Sequence, residues 1–293
     1  MVKSKVRRAT DEIIVEWVSI IFIALLAVLM LLPMLHVVAK AFSSERAVVM
    51  GIVGLIPVEP QFQAIQVIAG SRTFLTAFYN SIVVTVLGTI FTLLLSAITA
   101  FPLSTRGIPG IKTVTLIFVF TMYFGGGIIP TYLLYNNYHI LNTRIVLFVP
   151  GLINVFHLLI IKNYYESLPD SIIESARLDG ANYFTVFFKL IAPLSTAVYA
   201  AIIVFTSVIL WNAYFGPMMY TNSDRLKTLQ LYLRDMIMLS RDLELKLMLL
   251  LDSVNEETMI AACIVASTIP ILCVYPFMQR HFVKGVTIGS VKG

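Results

Sequence analysis

The chain has 293 residues, of which 58% are hydrophobic and only 13% are charged, and its formal net charge is +5 at pH 7. Its mean hydropathy is +0.89. A composition this apolar excludes a water-soluble protein with a single core and indicates a polytopic membrane protein. The basic balance requires no nucleic-acid partner, because an excess of Lys and Arg on the cytoplasmic side of a membrane protein produces the same charge.

Six apolar segments lie between the charged residues of the chain. A helix needs roughly 20 predominantly apolar residues to cross the hydrocarbon core of a bilayer. We therefore predict an all-α polytopic membrane protein with six transmembrane helices in a single domain over residues 1–293. The spans are expected near residues 17–39, 78–101, 113–135, 145–161, 194–214 and 258–279.

A further apolar stretch, Met236 to Leu251, carries Arg241, Asp242, Glu244 and Lys246 near its middle. Each such charge at the centre of a membrane helix costs ~3 kcal/mol, so we predict that this stretch does not span. It belongs to a predicted external loop over residues 215–257. Apolar residues recur there at helical spacing, which predicts an amphipathic helix on the outer membrane surface or against a partner: Leu226, Leu229, Leu233, Met236 and Ile237.

The positions of Lys and Arg predict the orientation of the chain. Basic residues precede the first span, fill the connections after the second and fourth spans, and follow the sixth, whereas residues 136–143 carry neither Lys nor Arg. Both termini are therefore predicted to be cytoplasmic. Ala39-Lys40-Ala41 also leaves open a cleaved signal peptide, although a first span of this length favours a retained anchor.

Several functional classes lack their sequence signals. No Asp or Glu falls within the six spans, which disfavours an ion-coupled transporter because the driving ion needs ionisable groups at membrane depth. There is no phosphate-binding loop with a Gly-Lys pair, no zinc motif and no nucleophile turn. We therefore predict that the chain is not an enzyme, holds no metal or cofactor, and forms a conduit driven by a soluble partner.

The connection between the fourth and fifth spans, residues 162–193, contains a polar segment with its own helix signals. Pro169-Asp170 predicts a helix start, and Gly180 predicts a stop in the left-handed conformation. Ile172, Ile173 and Ala176 share one face, a ridge that fits a groove on another protein, and Glu174 and Arg177 are spaced as an ion pair. The segment comprises Glu174, Ser175, Ala176, Arg177, Leu178, Asp179 and Gly180, and Pro193 follows.

This segment resembles the EAA loop of permease subunits in binding-protein-dependent ABC importers. Glu174, Ala176, Gly180, Leu190 and Pro193 occupy the positions of that pattern, while serine replaces the usual second alanine at position 175. The stretch 123–132 and the chain end 275–293 are similar to the carbohydrate branch of the family.

The resemblance implies a type I ABC importer permease fold in which residues 174–180 and Pro193 form a cytoplasmic coupling helix and its return to the membrane. It also implies a bacterial inner-membrane location, a second permease as heterodimer partner, an ATPase dimer that binds ATP and Mg, and an extracytoplasmic solute-binding protein. The implied cargo is an oligosaccharide, and our first specific expectation is an acidic oligouronide such as an alginate or pectin fragment.

Polar residues within spans are candidates for the substrate path, because a polar side chain in lipid is unfavourable unless it meets a cavity or another helix. Hydrogen bonding between helices and anchoring at the membrane surface remain alternatives, the latter for Trp211 and Tyr214 above all. The candidates are Asn80, Tyr123, Asn154, His157, Trp211 and Asn212.

Gly125-Gly126-Gly127 and Pro130 predict an interruption of the third span, since each glycine costs about 1 kcal/mol of helix propensity relative to alanine and proline costs more. A hinge or path mouth and a site of tight packing remain open. For the whole chain, the alternatives are an ion-coupled secondary transporter, a membrane scaffold without a path, and a permease of the same family for another small solute, such as a polyol or phosphodiester.

Overall fold

The computed structural model describes residues 10–239 and 255–289. Every regular element in these two ranges is helical, which confirms the predicted all-α class. The basic residues at positions 3, 5, 7, 8 and 292, and most of the predicted non-spanning stretch, residues 240–251, lie outside the described residues. The orientation and the character of that stretch therefore stay predictions.

Three predicted spans are continuous helices. The first, second and sixth spans lie within α1 (Thr10–Ala41), α4 (Arg72–Ser104) and the last helix, α14 (Glu256–Gly289). Each is long and apolar enough to cross a membrane. Two short helices, α2 (Glu45–Val49) and α3 (Gln63–Gly70), connect the first span to the second.

The other three predicted spans are each two helical pieces that meet at a bend. Helices α5 (Ile111–Tyr123) and α6 (Ile128–Asn137) meet at 112°. Two 3-10 turns at residues 145–151 meet α7 (Val155–Glu166) at 50°, and residues 183–194 meet α11 (Thr196–Trp211) at 76°. The described residues therefore contain up to six candidate spans if each bent pair counts as one.

The interruption predicted at Gly125-Gly126-Gly127 is confirmed. Residues 124–127 are not helical, and Gly127 has φ 87° and ψ 170°, a backbone conformation that is essentially restricted to glycine. Pro130 stands in the first turn of α6, where its missing N–H costs no hydrogen bond. The α5–α6 bend thus follows directly from local sequence.

The fourth predicted span starts later as an α-helix than expected. Residues 145–151 form two 3-10 turns, the second of which contains Pro150. The α-helix begins only after Asn154, whose side-chain oxygen accepts a hydrogen bond from the His157 N–H at 3.1 Å. An asparagine in this position caps the exposed donors of the first turn, so α7 starts at Val155.

The return of the chain to the predicted fifth span is irregular. A short helix, α9 (Tyr183–Val186), continues as a π-helical turn at Phe187–Ile191 and then as α10 (Ala192–Leu194). Pro193 cannot donate the backbone bond of a regular helix. Two residues later, the Ser195 hydroxyl donates to the Ile191 carbonyl at 2.7 Å, and the chain bends at this serine.

The described residues divide into two compact units. In the first, residues 10–70, 237–239 and 255–266, a small cluster of Ala39, Ala47, Val48 and Val53 is buried, and the Lys40 ammonium bonds the Glu257 carboxylate at 2.7 Å.

The second unit, residues 71–236 and 267–289, contains the main core. Helix α4 packs against α7 and α11. Gly88 allows a close approach, since a Cβ there would lie 2.5 Å from the Leu210 side chain. The fully packed residues of this core are Ala97, Ala100, Leu103, Leu158, Ile161, Tyr165, Val186, Phe187, Ile191, Val198 and Ile202.

The predicted external loop contains α12 (Phe215–Tyr220), a 3-10 turn (Asp224–Leu226) and α13 (Leu229–Leu239). The amphipathic helix expected here is therefore present. Its predicted position on the membrane surface or against a partner is wrong for residues 229–236, because their apolar side chains are buried within this chain: Leu229, Leu231, Leu233 and Met236. The Leu229 N–H also donates to the Ser81 hydroxyl of α4 at 2.8 Å.

Candidate functional site

The predicted coupling segment forms most of a short helix, α8 (Asp170–Leu178). Asp170 lies in the first turn and Arg177 in the last, so both charges complement the helix dipole. The Asp170 carboxylate also accepts a hydrogen bond from the Arg106 guanidinium in the connection between α4 and α5. The start of α8 is thereby tied to a neighbouring connection of the same unit.

The C-terminal end of α8 is closed by a Schellman motif. The Ala181 N–H donates to the Ala176 carbonyl at 2.9 Å, and the Gly180 N–H donates to the Arg177 carbonyl at 3.0 Å. Gly180 has φ 81°, so the predicted left-handed conformation is confirmed. Asn182 then caps α9 by accepting from the Thr185 N–H at 2.8 Å.

The two faces of α8 differ from the sequence prediction. Ile173 and Ala176 are partly buried against the core of the second unit, so the chain itself covers part of the ridge, and its contact with another protein stays a prediction. A nearby core offers them apolar contacts, and the helix turns this face inward. The outer face is exposed, and Leu178 at its end is 90% exposed. Glu174, Ser175, Arg177, Asp179 and Gly180 are exposed as well.

Arg177 bonds within the turn rather than to Glu174. Its guanidinium donates to the Tyr183 hydroxyl and lies 4.6 Å from the centre of the Tyr183 ring. This combination of hydrogen bond and cation–π contact bridges the Gly180 turn. The ion pair that the spacing predicted is therefore replaced by a contact with the next helix.

Beneath the coupling helix, tyrosines connect the surrounding helices. The Tyr164 hydroxyl donates to the Leu194 carbonyl at 3.0 Å, one residue after Pro193. The Tyr165 hydroxyl donates to the Ala97 carbonyl of α4 at 3.5 Å and also bonds the Tyr199 hydroxyl of α11. Pro193, which is itself exposed, thus directly precedes a residue whose carbonyl is bonded to α7.

Two of the predicted path residues are buried and hydrogen-bonded within the chain. The Asn80 amide donates to the carbonyls of Arg225 and Lys227 at 2.8 and 3.0 Å. The Trp211 indole donates to the Ser267 carbonyl at 3.2 Å. Trp211 is 6% exposed, so its alternative role as a membrane-surface aromatic is wrong. It lines an apolar cavity of about 200 Å³ together with residues of α4 and α14.

The remaining path candidates are spread over the second unit. Asn154 caps α7, and the buried His157 ring lies 3.2 Å from the Thr206 hydroxyl. Tyr123 is 77% exposed at the end of α5, and the exposed Asn212 amide bonds the Val208 carbonyl of its own helix. The structure thus does not gather the six candidates around one site, and their role in the path stays a prediction.

A second set of polar contacts, which sequence reasoning missed, joins the ends of α6 and α12. Asn142 has φ 55°, donates from its N–H to the Tyr220 carbonyl at 2.9 Å, and accepts from the N–H groups of Asn222 and Ser223 at 3.2 Å. The Tyr220 ring packs against Tyr132 and Tyr135 at 6.5 and 5.1 Å. The sequence feature that could have indicated this contact is the recurrence of tyrosine in α6 and at the end of α12.

Comparisons with known proteins agree with this architecture. No protein-family model matches the chain. It is 36% identical over 274 residues to the polygalacturonan/rhamnogalacturonan transport system permease protein YtcP of Bacillus subtilis (strain 168), which covers 93% of this chain and 96% of that protein. It is also 36% identical over 285 residues to the protein LplC of the same organism, with 94% of each covered.

A solved structure is similar over nearly its whole length. It is described as the crystal structure of a bacterial ABC transporter involved in the import of the acidic polysaccharide alginate. The TM-score is 0.88 at 31% sequence identity, and the match covers 94% of this chain and 99% of that chain.

The chain therefore belongs to the ABC transporter permeases. Its relatives place it among the permeases of carbohydrate and oligosaccharide transport systems. It is a membrane protein that works in a system with other subunits. Family membership confirms the recognition made from the coupling segment and decides against the ion-coupled and scaffold alternatives.

Proposed function

We propose that this chain is one of two permease subunits of an ATP-driven importer in a bacterial inner membrane, and that the importer takes up an acidic oligosaccharide delivered by a solute-binding protein. A separate ATPase dimer binds ATP and Mg and hydrolyses the nucleotide, and this chain carries no catalytic residue. The observation that carries the proposal is α8, a helix that packs partly against its own chain on one side and is exposed on the other.

The exposed side of α8 suits an attachment to the ATPase. Leu178 is 90% exposed at the end of the helix, although its side chain is large and apolar. Burying such a side chain in a pocket of another protein contributes ~1.5–3 kcal/mol, and central apolar anchors of this kind dominate binding energies. Glu174 and Ser175 on the same side add polar contacts at the rim.

The inner side of α8 suits the transmission of movement. Ile173, Ala176 and Ala181 pack against a core to which α4, α7 and α11 contribute residues together with the chain at 186–191. Cores are close-packed and transmit displacement rather than absorbing it. When the ATPase subunits close on ATP, α8 moves with them, and these three helices follow as a body to open the path outward.

We infer the acidic cargo from the names of the relatives and from an exposed arginine of this chain. One relative is named for polygalacturonan and rhamnogalacturonan, and the solved structure is described by the acidic polysaccharide alginate. Arg225 lies in the predicted external loop, is exposed, and forms no ion pair within the described residues, whereas the exposed Arg144 lies 5.8 Å from the centre of the Tyr79 ring. Guanidinium groups bind carboxylates with two parallel hydrogen bonds, which supports a uronate-bearing oligosaccharide.

Uptake by the reconstituted importer tests the function. The chain, a second permease, the ATPase and the binding protein are placed in liposomes, and uptake of an oligogalacturonide is compared with that of a neutral oligosaccharide of equal length. We expect uptake only with ATP and the binding protein, and a preference for the acidic sugar. Equal uptake of both sugars contradicts the cargo, and uptake on an ion gradient without the ATPase contradicts the transport mechanism.

Thiol labelling tests the orientation of the chain independently. In a Cys273→Ser background, Leu178→Cys and Tyr138→Cys place single accessible thiols at exposed positions, because Cys263 is buried and Leu178 and Tyr138 are 90% and 70% exposed. A membrane-impermeant reagent added to intact cells is expected to label position 138 and to leave position 178 unlabelled until the membrane is opened. The reverse pattern contradicts the cytoplasmic placement of α8.

A further inference from the structure

A cleft of about 680 Å³ opens where α4 ends, α5 begins and α7 ends. Its lining includes three basic side chains, Arg106, Lys112 and Lys162, one carboxylate, Glu166, and apolar side chains such as Leu103, Leu116 and Val119. A volume of this size accommodates a small-molecule ligand. A ligand that fits this lining has an anionic group beside a hydrocarbon portion.

The basic residues of the lining are not all neutralised by carboxylates within the described residues. Lys162 pairs with Glu166 at 2.6 Å. Arg106 pairs with Asp170 outside the lining, and both of these side chains are more than half exposed, so this ion pair is weak and exchangeable. Lys112 is exposed and forms no ion pair in the described part of the chain. An anion in the cleft therefore meets one free ammonium and one loosely held guanidinium.

Uncharged donors in the same lining are also without partners. The Thr115 hydroxyl is buried and makes no hydrogen bond within the described residues. Helix α5 begins after Gly110, which has φ 83° and offers no side-chain cap, and Gly110, Ile111 and Lys112 all line the cleft. The free N–H groups and positive dipole end of a helix start favour an anionic group.

The cleft lies at the depth where a membrane changes from hydrocarbon to headgroups. The predicted spans end near residue 101 in α4, begin near residue 113 in α5 and end near residue 161 in α7, and the lining comes from these same three places. In the proposed orientation, this boundary is the cytoplasmic one, where anionic lipids give the leaflet a negative surface potential. The apolar side chains of the lining are then close to the acyl chains of the lipid.

We propose that this cleft binds an anionic phospholipid of the cytoplasmic leaflet, with the headgroup phosphate among Arg106, Lys112 and the first turn of α5 and the acyl chain along Leu103, Leu116 and Val119. The proposal rests on the orientation in the proposed function. Because Arg106 also holds Asp170 at the start of α8, lipid in the cleft draws this arginine away and alters how firmly the coupling helix is held.

Lysine labelling in lipid nanodiscs tests the site directly. The assembled transporter is placed in nanodiscs of phosphatidylcholine alone or of phosphatidylcholine with phosphatidylglycerol, and an amine-reactive reagent is followed residue by residue by mass spectrometry. We expect Lys112 to react about five-fold more slowly with phosphatidylglycerol present. Lys189 is exposed and lies outside the cleft lining, so it serves as the internal control and keeps its rate.

Matched variants separate the cleft from general charge effects. Lys112→Gln is expected to lower the retention of phosphatidylglycerol in native mass spectrometry about five-fold, whereas Lys189→Gln retains it. Oligosaccharide uptake by wild type in phosphatidylglycerol liposomes is recorded alongside. If uptake is absent but phosphatidylglycerol still slows the labelling of Lys112, only the proposed function fails. The labelling reports the lipid site independently of transport.

Three results overturn the lipid proposal. Equal labelling of Lys112 in both nanodisc compositions shows that no anionic lipid covers it. Protection of Lys112 by inorganic phosphate to the same extent in phosphatidylcholine alone assigns the site to a free anion. Protection that appears in phosphatidylcholine only when the ATPase is bound assigns the cleft to a protein contact.

Discussion

Helix α8 and the connection from α12 to α13 are both polar segments between spans, yet the two satisfy their side chains in opposite ways. The α12–α13 connection bonds its backbone to α4 through Asn80 and Ser81 and buries the apolar face of α13. Helix α8 closes its C-terminal end by local hydrogen bonds, is joined at its start to Arg106, and leaves Leu178 exposed. The first segment is bonded to the main core, and the second keeps an exposed apolar side chain.

This difference teaches that the length and polarity of a connection do not indicate its role. What separates the two segments is where their strong contacts go. The carbonyls that Asn80 binds lie 145 and 147 residues away along the chain, whereas the bonds that close α8 join residues three to five apart. A locally closed helix can move as a unit, and a segment bonded to α4 moves only with α4.

The largest effect is expected from a charge at the end of α8. Leu178→Asp should weaken the attachment of the ATPase by at least about 2 kcal/mol, roughly thirty-fold, because a carboxylate would enter an apolar contact. Its effect on the thermal stability of the isolated permease should be small, since the side chain is exposed. Binding of the ATPase to immobilised permease measures the first quantity, and Leu178→Met is the control that keeps affinity. Unchanged binding by the aspartate variant would remove α8 as the attachment site.

Removal of the Asn80 amide should destabilise the packing of the α12–α13 connection against α4. Asn80→Leu removes the two hydrogen bonds to the carbonyls of Arg225 and Lys227, and the expected cost is about 2 kcal/mol of unfolding free energy, about 1 kcal/mol for each bond. The thermal unfolding of the purified permease, followed by loss of the monodisperse species, checks this. Asn212→Leu is the matched control, because the Asn212 amide is exposed and bonds only its own helix. Equal shifts of the unfolding temperature in both variants would contradict a special structural role for the Asn80 hydrogen bonds.

A change at Gly180 tests the local closure of α8. Gly180→Val forces a β-branched residue into the left-handed region, at an expected cost of about 1–2 kcal/mol to the turn, and should reduce uptake about ten-fold while the permease still folds. Gly180→Asn is the control, because asparagine tolerates this conformation better than other side chains. The measurement is ATP-driven uptake in liposomes together with ATPase activity. Uptake by the valine variant that equals wild type would show that the turn geometry is not needed.

The smallest effect is expected at Arg177, which bridges the turn at the protein surface. Arg177→Met removes the hydrogen bond to the Tyr183 hydroxyl and the cation–π contact, together ~0.5–1 kcal/mol at an exposed site. Coupling, read as uptake per ATP hydrolysed, should fall by less than in Gly180→Val. Arg177→Lys keeps the charge over the ring and should lie between wild type and methionine. A methionine variant worse than Gly180→Val would mean that Arg177 contacts the ATPase itself.

The α-helical class, the candidate spans, the break at Gly125–Gly127 and the stop at Gly180 could all be predicted from the sequence. Each depends on hydropathy over one helix length or on the backbone freedom of a particular residue, so neighbours along the chain contain the needed information. The family followed in the same way, because the coupling segment is a contiguous pattern.

Tertiary packing decided which side of α8 faces outward, where the apolar face of α13 is buried, and what Asn80 and Trp211 bind. These outcomes depend on contacts between residues far apart in the chain, such as Trp211 and Ser267. The hydropathy pattern does not specify which apolar face packs against which part of the core. The sequence alone thus determined that a short helix lies between the fourth and fifth spans and where it stops. Only the packed helices determined that Leu178 is left exposed while Ile173 and Ala176 are partly buried, because the core of the same chain is the nearest place to bury an apolar face.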